Sequence, residues 1–212
     1  MRLLASFSGG KDSILSIDRA MQEHELVGLI TTFRGEESWF HEIGAELMDK
    51  IAEALGIPIF KIQVGGGAKY TEDFVQAIST IAEEVSADGI LFGDIDLIPH
   101  REWCEGIARA AELQAVFPLW GGERKALVEE FLDKGYVTIV KKVDKKKLGK
   151  EYLGKILDRA MIAELERSGL DPSGENGEYH TVVVDGPRFK HKVEYRSGEI
   201  YEDDWSYIIR MR

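Results

Sequence analysis

Over the first 120 positions, short continuous runs of apolar residues alternate with longer segments in which apolar residues return every three or four places. Arg2-Leu3-Leu4-Ala5-Ser6-Phe7 reads as a short buried strand, and Ile14, Leu15, Ile17 and Met21 then mark one face of a helix. Leu26-Val27-Gly28-Leu29-Ile30-Thr31-Thr32 is an unbroken apolar run ending in hydroxyls, the pattern of a parallel strand covered on both faces. The alternation continues. Ile43, Leu47, Ile51 and Leu55 predict a helix stopped by Gly56 and Pro58, and residues 59–64 predict a third strand. Phe74, Ile78, Ile81 and Val85 predict a helix, residues 89–92 a fourth strand, and Ile107, Ala110, Ala111 and Leu113 the inward side of a further helix opened by His100-Arg101-Glu102-Trp103. Such an order implies βαβ units and a parallel sheet with right-handed crossovers.

The texture changes where Ala115-Val116-Phe117-Pro118-Leu119-Trp120-Gly121 runs into Pro and Gly, so the chain is expected to divide into domains 1–120 and 121–212. A helix holding Leu127, Val128, Phe131 and Leu132 should end at Gly135, followed by a strand at 136–140 and a lysine-rich connection. Ile156, Leu157, Ala160, Met161 and Leu165 predict a second helix. Residues 179–185, 189–195 and 207–211 read as strands separated by Gly186-Pro187 and Ser197-Gly198 turns. The expected fold class is therefore α/β, a parallel-sheet first domain of Rossmann-like type with a second, smaller α+β domain.

Chemistry enters at Ser8-Gly9-Gly10-Lys11-Asp12-Ser13, which lies between the first strand and the first helix. Glycines let the backbone approach an anion, successive N–H groups and the positive end of the helix dipole attract it, and Lys11 adds a point charge. The turn suits phosphate. Ligands of parallel sheets bind beyond the C-terminal strand ends, where Ser8–Ser13, Thr31–Gly35 and Gly93-Asp94-Ile95 all emerge. Arg101 stands near the same edge, either to meet a phosphate or carboxylate or to pair with Glu102 or Glu105. His100 suits capping or packing better than base chemistry, and Cys104 suits the core better than nucleophilic attack. A second candidate site is the loop Asp171-Pro172-Ser173-Gly174-Glu175-Asn176-Gly177-Glu178-Tyr179-His180-Thr181. There, Glu175 and Glu178 could bind an ammonium group, a cationic substrate or a magnesium ion, or receive a proton.

Composition narrows the partners. At 212 residues and 44% hydrophobic content the chain can bury a proper core, and a net charge of −11 argues against a broad nucleic-acid surface. The local exception is Lys141, Lys142, Lys145, Lys146, Lys147 and Lys150, read as a solvated strand end and turn, with docking of an acidic protein or RNA as the alternative. A single cysteine excludes an internal disulfide and a cysteine-based zinc cluster. No apolar segment approaches bilayer length and no targeting segment is visible, so the expectation is of no membrane partner and a cytoplasmic location. One asparagine and one cysteine against abundant Glu and Lys suggest a thermophilic source.

The Ser8–Ser13 turn resembles, letter for letter, the S-G-G-K-D-S loop of the PP-loop ATP pyrophosphatases, whose fold is adenine nucleotide alpha hydrolase-like. The resemblance implies ATP held by Ser8, Gly9, Gly10, Lys11, Asp12 and Ser13, with the base near Thr31, Thr32 and Phe33. It also implies Gly93 and Asp94 closing over the nucleotide, with Arg101 beside it. Gly174-Glu175-x-Gly177-Glu178-Tyr179-x-Thr181, with Asp185-Gly186-Pro187 after it and Pro118-Leu119-Trp120-Gly121 before it, is similar to the diphthine-ammonia ligase branch of that superfamily. For this branch the expected reaction adenylates a carboxylate, releases pyrophosphate and admits ammonia to form an amide on elongation factor 2. Lys11, Asp12, Asp94, Glu175 and Glu178 are then the expected catalytic residues, with Asp12 or Asp94 to hold Mg²⁺. Glu175, Gly177, Glu178, Tyr179, His180 and Thr181 are the expected contacts to the acceptor. A homodimer is compatible with this reading. His180 departs from the pattern, standing where many archaeal and eukaryotic members have glutamate. A PP-loop tRNA-modifying enzyme and an ATP or AMP sensor without ligase activity are the alternatives.

Overall fold

A computed structural model describes residues 1–39 and 41–212. The chain divides into two compact units, one formed by residues 1–8, 12–42 and 56–122 and the other by 9–11, 43–55 and 123–212.

In the first unit the apolar runs become strands β1 (Arg2–Ser6), β2 (Glu25–Arg34), β4 (Ile59–Gln63), β5 (Gly89–Leu91) and β6 (Gln114–Val116), all parallel and ordered β4-β2-β1-β5-β6. A two-residue strand β3 (Glu37–Ser38) turns back antiparallel on the end of β2. The order reverses at β1, where the chain has built outward on one side and returns to build on the other. That is the topological switch point at which doubly wound sheets take ligands. The helices α1 (Lys11–Ala20), α3 (Ala68–Val85) and α4 (Ile98–Ala110) supply three of the four crossovers. Leu4, Ile30 and Ile90 from the strands meet Phe74 and Ile78 of α3 and Ile107 and Ala108 of α4 in one core. Burying these side chains contributes roughly 1.5–3 kcal/mol for each large one.

The second unit is an antiparallel sheet ordered β8-β7-β10-β9, built from β7 (Val137–Asp144), β8 (Tyr179–Asp185), β9 (Ser197–Glu202) and β10 (Ser206–Met211). With it go α2 (Ala45–Leu55), α5 (Arg124–Asp133) and α6 (Arg159–Arg167). Carboxylates start two of these helices: Glu123 accepts from the N–H groups of Lys125 and Ala126, and Asp158 accepts from that of Met161. Phe131, buried on α5, stacks on Tyr136 at 5.1 Å.

Several expectations are corrected here. Residues 189–195 form no strand; Lys190 N–H donates to the Ala54 carbonyl and Val193 N–H to that of Val184, two separate anchors without a ladder. Ser197-Gly198 opens β9 instead of making a turn, because β9 is an exposed edge strand whose pairing with β10 needs no apolar alternation. The turn lies at Asp203, whose carboxylate accepts from the N–H groups of Trp205 and Ser206. Ile156 lies outside α6, 54% exposed, since the Asp158 cap sets the helix start after it. The lysine run is not simply solvated either. β7 continues through Lys141, which is 1% exposed, while Lys142, Lys145 and Lys150 pair with the hairpin acids Glu202 and Asp203.

Candidate functional site

In the first unit the site elements gather at the switch point. Ser8 Oγ donates to Ser13 Oγ at 3.3 Å, and Asp12 lies half-buried in the first turn of α1. Gly93, directly after β5, packs on that turn: a Cβ there would come within 3.2 Å of the Asp12 carbonyl carbon and the Ser13 nitrogen. Any side chain there would require the start of α1 to give by a few tenths of an ångström, so glycine suits this close approach of the two backbones. Asp94 follows, its Oδ2 accepting from the Cys104 thiol at 3.7 Å and its Oδ1 3.6 Å from His100 Nδ1. Burial pushes the Asp94 carboxyl above its ordinary range, and the opposing pulls of His100 and Cys104 do not cancel it. Burial, followed by the charge of Asp94, also drives the Cys104 thiol far upward, which disfavours the thiolate a nucleophile requires.

Three residues at the end of β2 are engaged internally. Thr31 Oγ1 donates to the Phe7 carbonyl at 2.6 Å, Thr32 Oγ1 lies 3.3 Å from the Tyr70 hydroxyl, and Phe33 is 1% exposed. Beside them stands an aromatic group that sequence reading did not single out: Trp39, Tyr70, Phe74 and Trp103, with centroids 5.5–6.2 Å apart along the contacting pairs. Arg101 donates to Glu105 at 2.7 Å, and its guanidinium lies over Phe117 and Trp120 at 5.1 and 4.7 Å.

In the second unit the segment Gly9–Lys11 is bound to β8, the strand that leaves the acidic loop. Val183 N–H donates to the Gly9 carbonyl at 2.9 Å, and Lys11 N–H to Thr181 Oγ1 at 3.2 Å. The Lys11 ammonium lies 5.5 Å from the centre of the Tyr179 ring, and the residue is 5% exposed. Gly9 has φ +79°, and a Cβ there would sit 3.0 Å from Ile43 and 3.3 Å from Met48. Residues 170 positions apart thus meet by direct hydrogen bonds.

The acidic loop is held at both ends. Asp171 Oδ1 accepts from the N–H and hydroxyl of Ser173, and its other oxygen pairs with Arg124. Burial pushes the Asp171 carboxyl up, but the Ser173 hydrogen bonds and Arg124 outweigh it and leave the group below its ordinary range. Gly174 and Gly177 take φ +75° and +83°, conformations open to glycine at little cost. Glu178 is buried, with Oε1 3.2 Å from Lys147 Nζ. Glu175 is half-buried, and His180 sits opposite Lys142 in the β7–β8 ladder. Lys147 and Arg124 were missed in the sequence, one hidden in a charge run and the other in an ordinary helix start.

A parallel sheet whose central strand runs into a glycine-lysine turn at the switch point is the arrangement of a PP-loop type of nucleotide-binding protein. Family models described as the diphthamide synthase N-terminal domain and the diphthamide synthase C-terminal domain match residues 1–115 and 123–211. The chain belongs to the diphthamide synthase family. Similar curated proteins include the diphthine-ammonia ligase of Danio rerio, 29% identical over 96% of this chain and 91% of that one. Those of Bos taurus and Homo sapiens are 29% and 26% identical, each over 94% of this chain and 85% of theirs. Among solved structures, a predicted subunit of tRNA methyltransferase from Methanocaldococcus jannaschii DSM aligns over 88% of this chain and 98% of that one. The two share 19% identity, with a TM-score of 0.47.

Proposed function

We propose that this protein is an ATP-dependent, AMP-forming ligase that converts the carboxylate of diphthine on elongation factor 2 to an amide. A carboxylate oxygen attacks the α-phosphorus of ATP and the bond to pyrophosphate breaks. Ammonia then attacks the acyl carbon, the bond to AMP breaks, and the nitrogen gives up a proton. Family membership and the named relatives support this reading. The observation that carries it into this chain is the hydrogen bonding of Gly9 and Lys11 to Val183 and Thr181, which joins the phosphate-type turn to the strand of the acidic loop.

In this reading Ser8, Gly9, Gly10, Lys11 and Ser13 grip the phosphates, and Lys11 neutralises charge gathering on the departing pyrophosphate. Thr31, Thr32 and Phe33 border the base through the strand end they build, Gly93 admits the nucleotide close to α1, and Arg101 orders the neighbouring aromatic side chains. Glu175, Gly177, Glu178, Tyr179, His180 and Thr181 face the acceptor or the incoming ammonium. Residues 1–120 then serve ATP and residues 121–212 the protein substrate.

No group of three or more candidate metal ligands occurs among the described residues. Asp12 and Asp94 nevertheless fit Mg²⁺, a hard cation that is commonly held by one or two carboxylates together with nucleotide oxygens. When bound, the ion supplies further neutralisation of the triphosphate. No helix among the described residues is long and apolar enough to cross a membrane. A cytoplasmic location is part of this proposal, since it takes elongation factor 2 as the substrate. The tRNA-modifying alternative is not favoured by the named relatives, and Lys142, Lys145 and Lys150 of the basic run are matched by Glu202 and Asp203.

The test supplies ATP, Mg²⁺, ammonium and diphthine-bearing elongation factor 2. AMP, pyrophosphate and an amide in equal amounts are expected; ADP with orthophosphate, or AMP formation indifferent to the acceptor, would overturn the proposal.

A further inference from the structure

Lys147 stands in the turn after β7, and its ammonium touches the acidic loop at two points. It lies 3.2 Å from Glu178 Oε1 and donates to the Asn176 carbonyl at 2.6 Å. Asn176 is held from its other end by Arg124, whose Nη1 donates to the side-chain Oδ1 at 3.0 Å. The one asparagine of the chain is therefore pinned by two cations although it is itself exposed. Below it the Glu178 side chain is 3% exposed, and its second oxygen, Oε2, is buried without a hydrogen-bond partner.

A buried carboxylate keeps its place only if an opposite charge or donors hold it. For Glu178 the side-chain donor is Lys147. By engaging Oε1, Lys147 turns the carboxylate so that Oε2 retains its full accepting capacity, and the bond to Asn176 fixes the backbone on the far side of Gly177. A lysine suits this task because its three donors can be shared between a carboxylate and a carbonyl.

We infer that Lys147 is a positioning residue: by holding Asn176 and Glu178 Oε1 it locks the 174–178 loop and leaves the second oxygen of Glu178 as the acceptor available to the N–H donor that the reaction brings. As it concerns the loop, the inference stands on geometry alone. As it concerns the reaction, it rests on the ligase reading.

The two parts are separated by measuring amide hydrogen exchange and kinetics on the full chain as wild type, Lys147→Met and Lys147→Arg. In Lys147→Met the amides of 174–178 should exchange at least about tenfold faster, while those of β7, β8 and 9–13 keep their wild-type rates. ATP affinity should stay within about twofold, and the KM for ammonium or for the acceptor should rise about tenfold. Lys147→Arg should recover most of the loop protection and the KM, since a guanidinium also pairs with a carboxylate. Unchanged exchange in the loop overturns the inference, and so does acceleration spread over the whole second unit, which would mean a structural prop. If the wild type forms no amide, the ligase reading fails by itself, and the exchange comparison still decides the role of Lys147.

Discussion

Asp94 in the first unit and Asp171 in the second both lose water on folding, and they end in opposite electrostatic states. Asp94 meets a thiol and a histidine at the limit of useful distance, so its carboxyl remains above the ordinary range. Asp171 meets two donors from Ser173 and the guanidinium of Arg124, and falls below it. The difference is one of supply. In the acidic loop each buried acid has been given a cation, Arg124 for Asp171 and Lys147 for Glu178, so the charges there are matched within the loop's own surroundings. At the end of β5 the acid has been left short of donors, the condition in which a ligand or its counter-ion still has something to gain by arriving.

The largest expected effect tests the cation common to both kinds of chemistry. Lys11→Met removes the charge over Tyr179 while keeping most of the buried volume, and AMP formation should fall by about 100-fold or more. The check is the rate of ATP-pyrophosphate exchange alongside thermal unfolding. A loss of exchange without a matching loss of folded protein is the expected outcome, and an unchanged rate would remove Lys11 from the phosphate site.

Next in size is a backbone contrast. Gly9→Ala forces a side chain into φ +79° and against Ile43 at 3.0 Å, so a stability loss of about 2 kcal/mol is expected. Gly93→Ala carries no such angle, yet its Cβ would press the start of α1 from 3.2 Å. It should therefore impair ATP binding more than it lowers the unfolding temperature. Denaturant titration and nucleotide affinity measured on both variants distinguish the two; equal behaviour would mean that the two glycines do the same work.

These contrasts also mark what could be read in the letters. The strands of the parallel sheet were visible because burial on both faces writes a continuous apolar run, as in β2, and the helices because their apolar residues recur at helical spacing. The glycine-lysine turn and the acidic loop were visible because glycine at special positions and charge beside it are uncommon in core sequence. Partnerships made across long stretches of chain were not. That Ile43–Leu55 packs in the same unit as residues 123–212 has no local signal, since an amphipathic helix shows which side it buries and not what covers it. Lys147 looked like its neighbours in a charge run, and only the antiparallel pairing of β7 with β8 brings it to Glu178. The edge strand β9 escaped notice for the opposite reason, being held by backbone pairing to β10 with almost every side chain exposed.

The smallest expected effects return to the two aspartates and differ in sign. The folded-state pKa of Asp171 is lowered, so the unfolded chain binds its proton more readily. The stability this contributes is complete above the ordinary carboxyl value near 3.8 and disappears as pH falls through the lower folded value. Asp171→Asn should accordingly cost about 1 kcal/mol at neutral pH and progressively less in strong acid. Asp94 has a raised folded pKa, so its ionisation works against folding, with a penalty that begins above 3.8 and is complete above the folded value. Asp94→Asn should leave the protein as stable at neutral pH or more stable by at most about 1 kcal/mol, with the gain fading toward acid, while amide formation falls. Unfolding curves of the two variants from pH 3 to 7 should thus diverge in opposite directions from the wild type. Parallel curves would mean that the acid left short of donors and the acid fully supplied with them are energetically alike, and the distinction between a poised carboxylate and a matched one would have no physical basis.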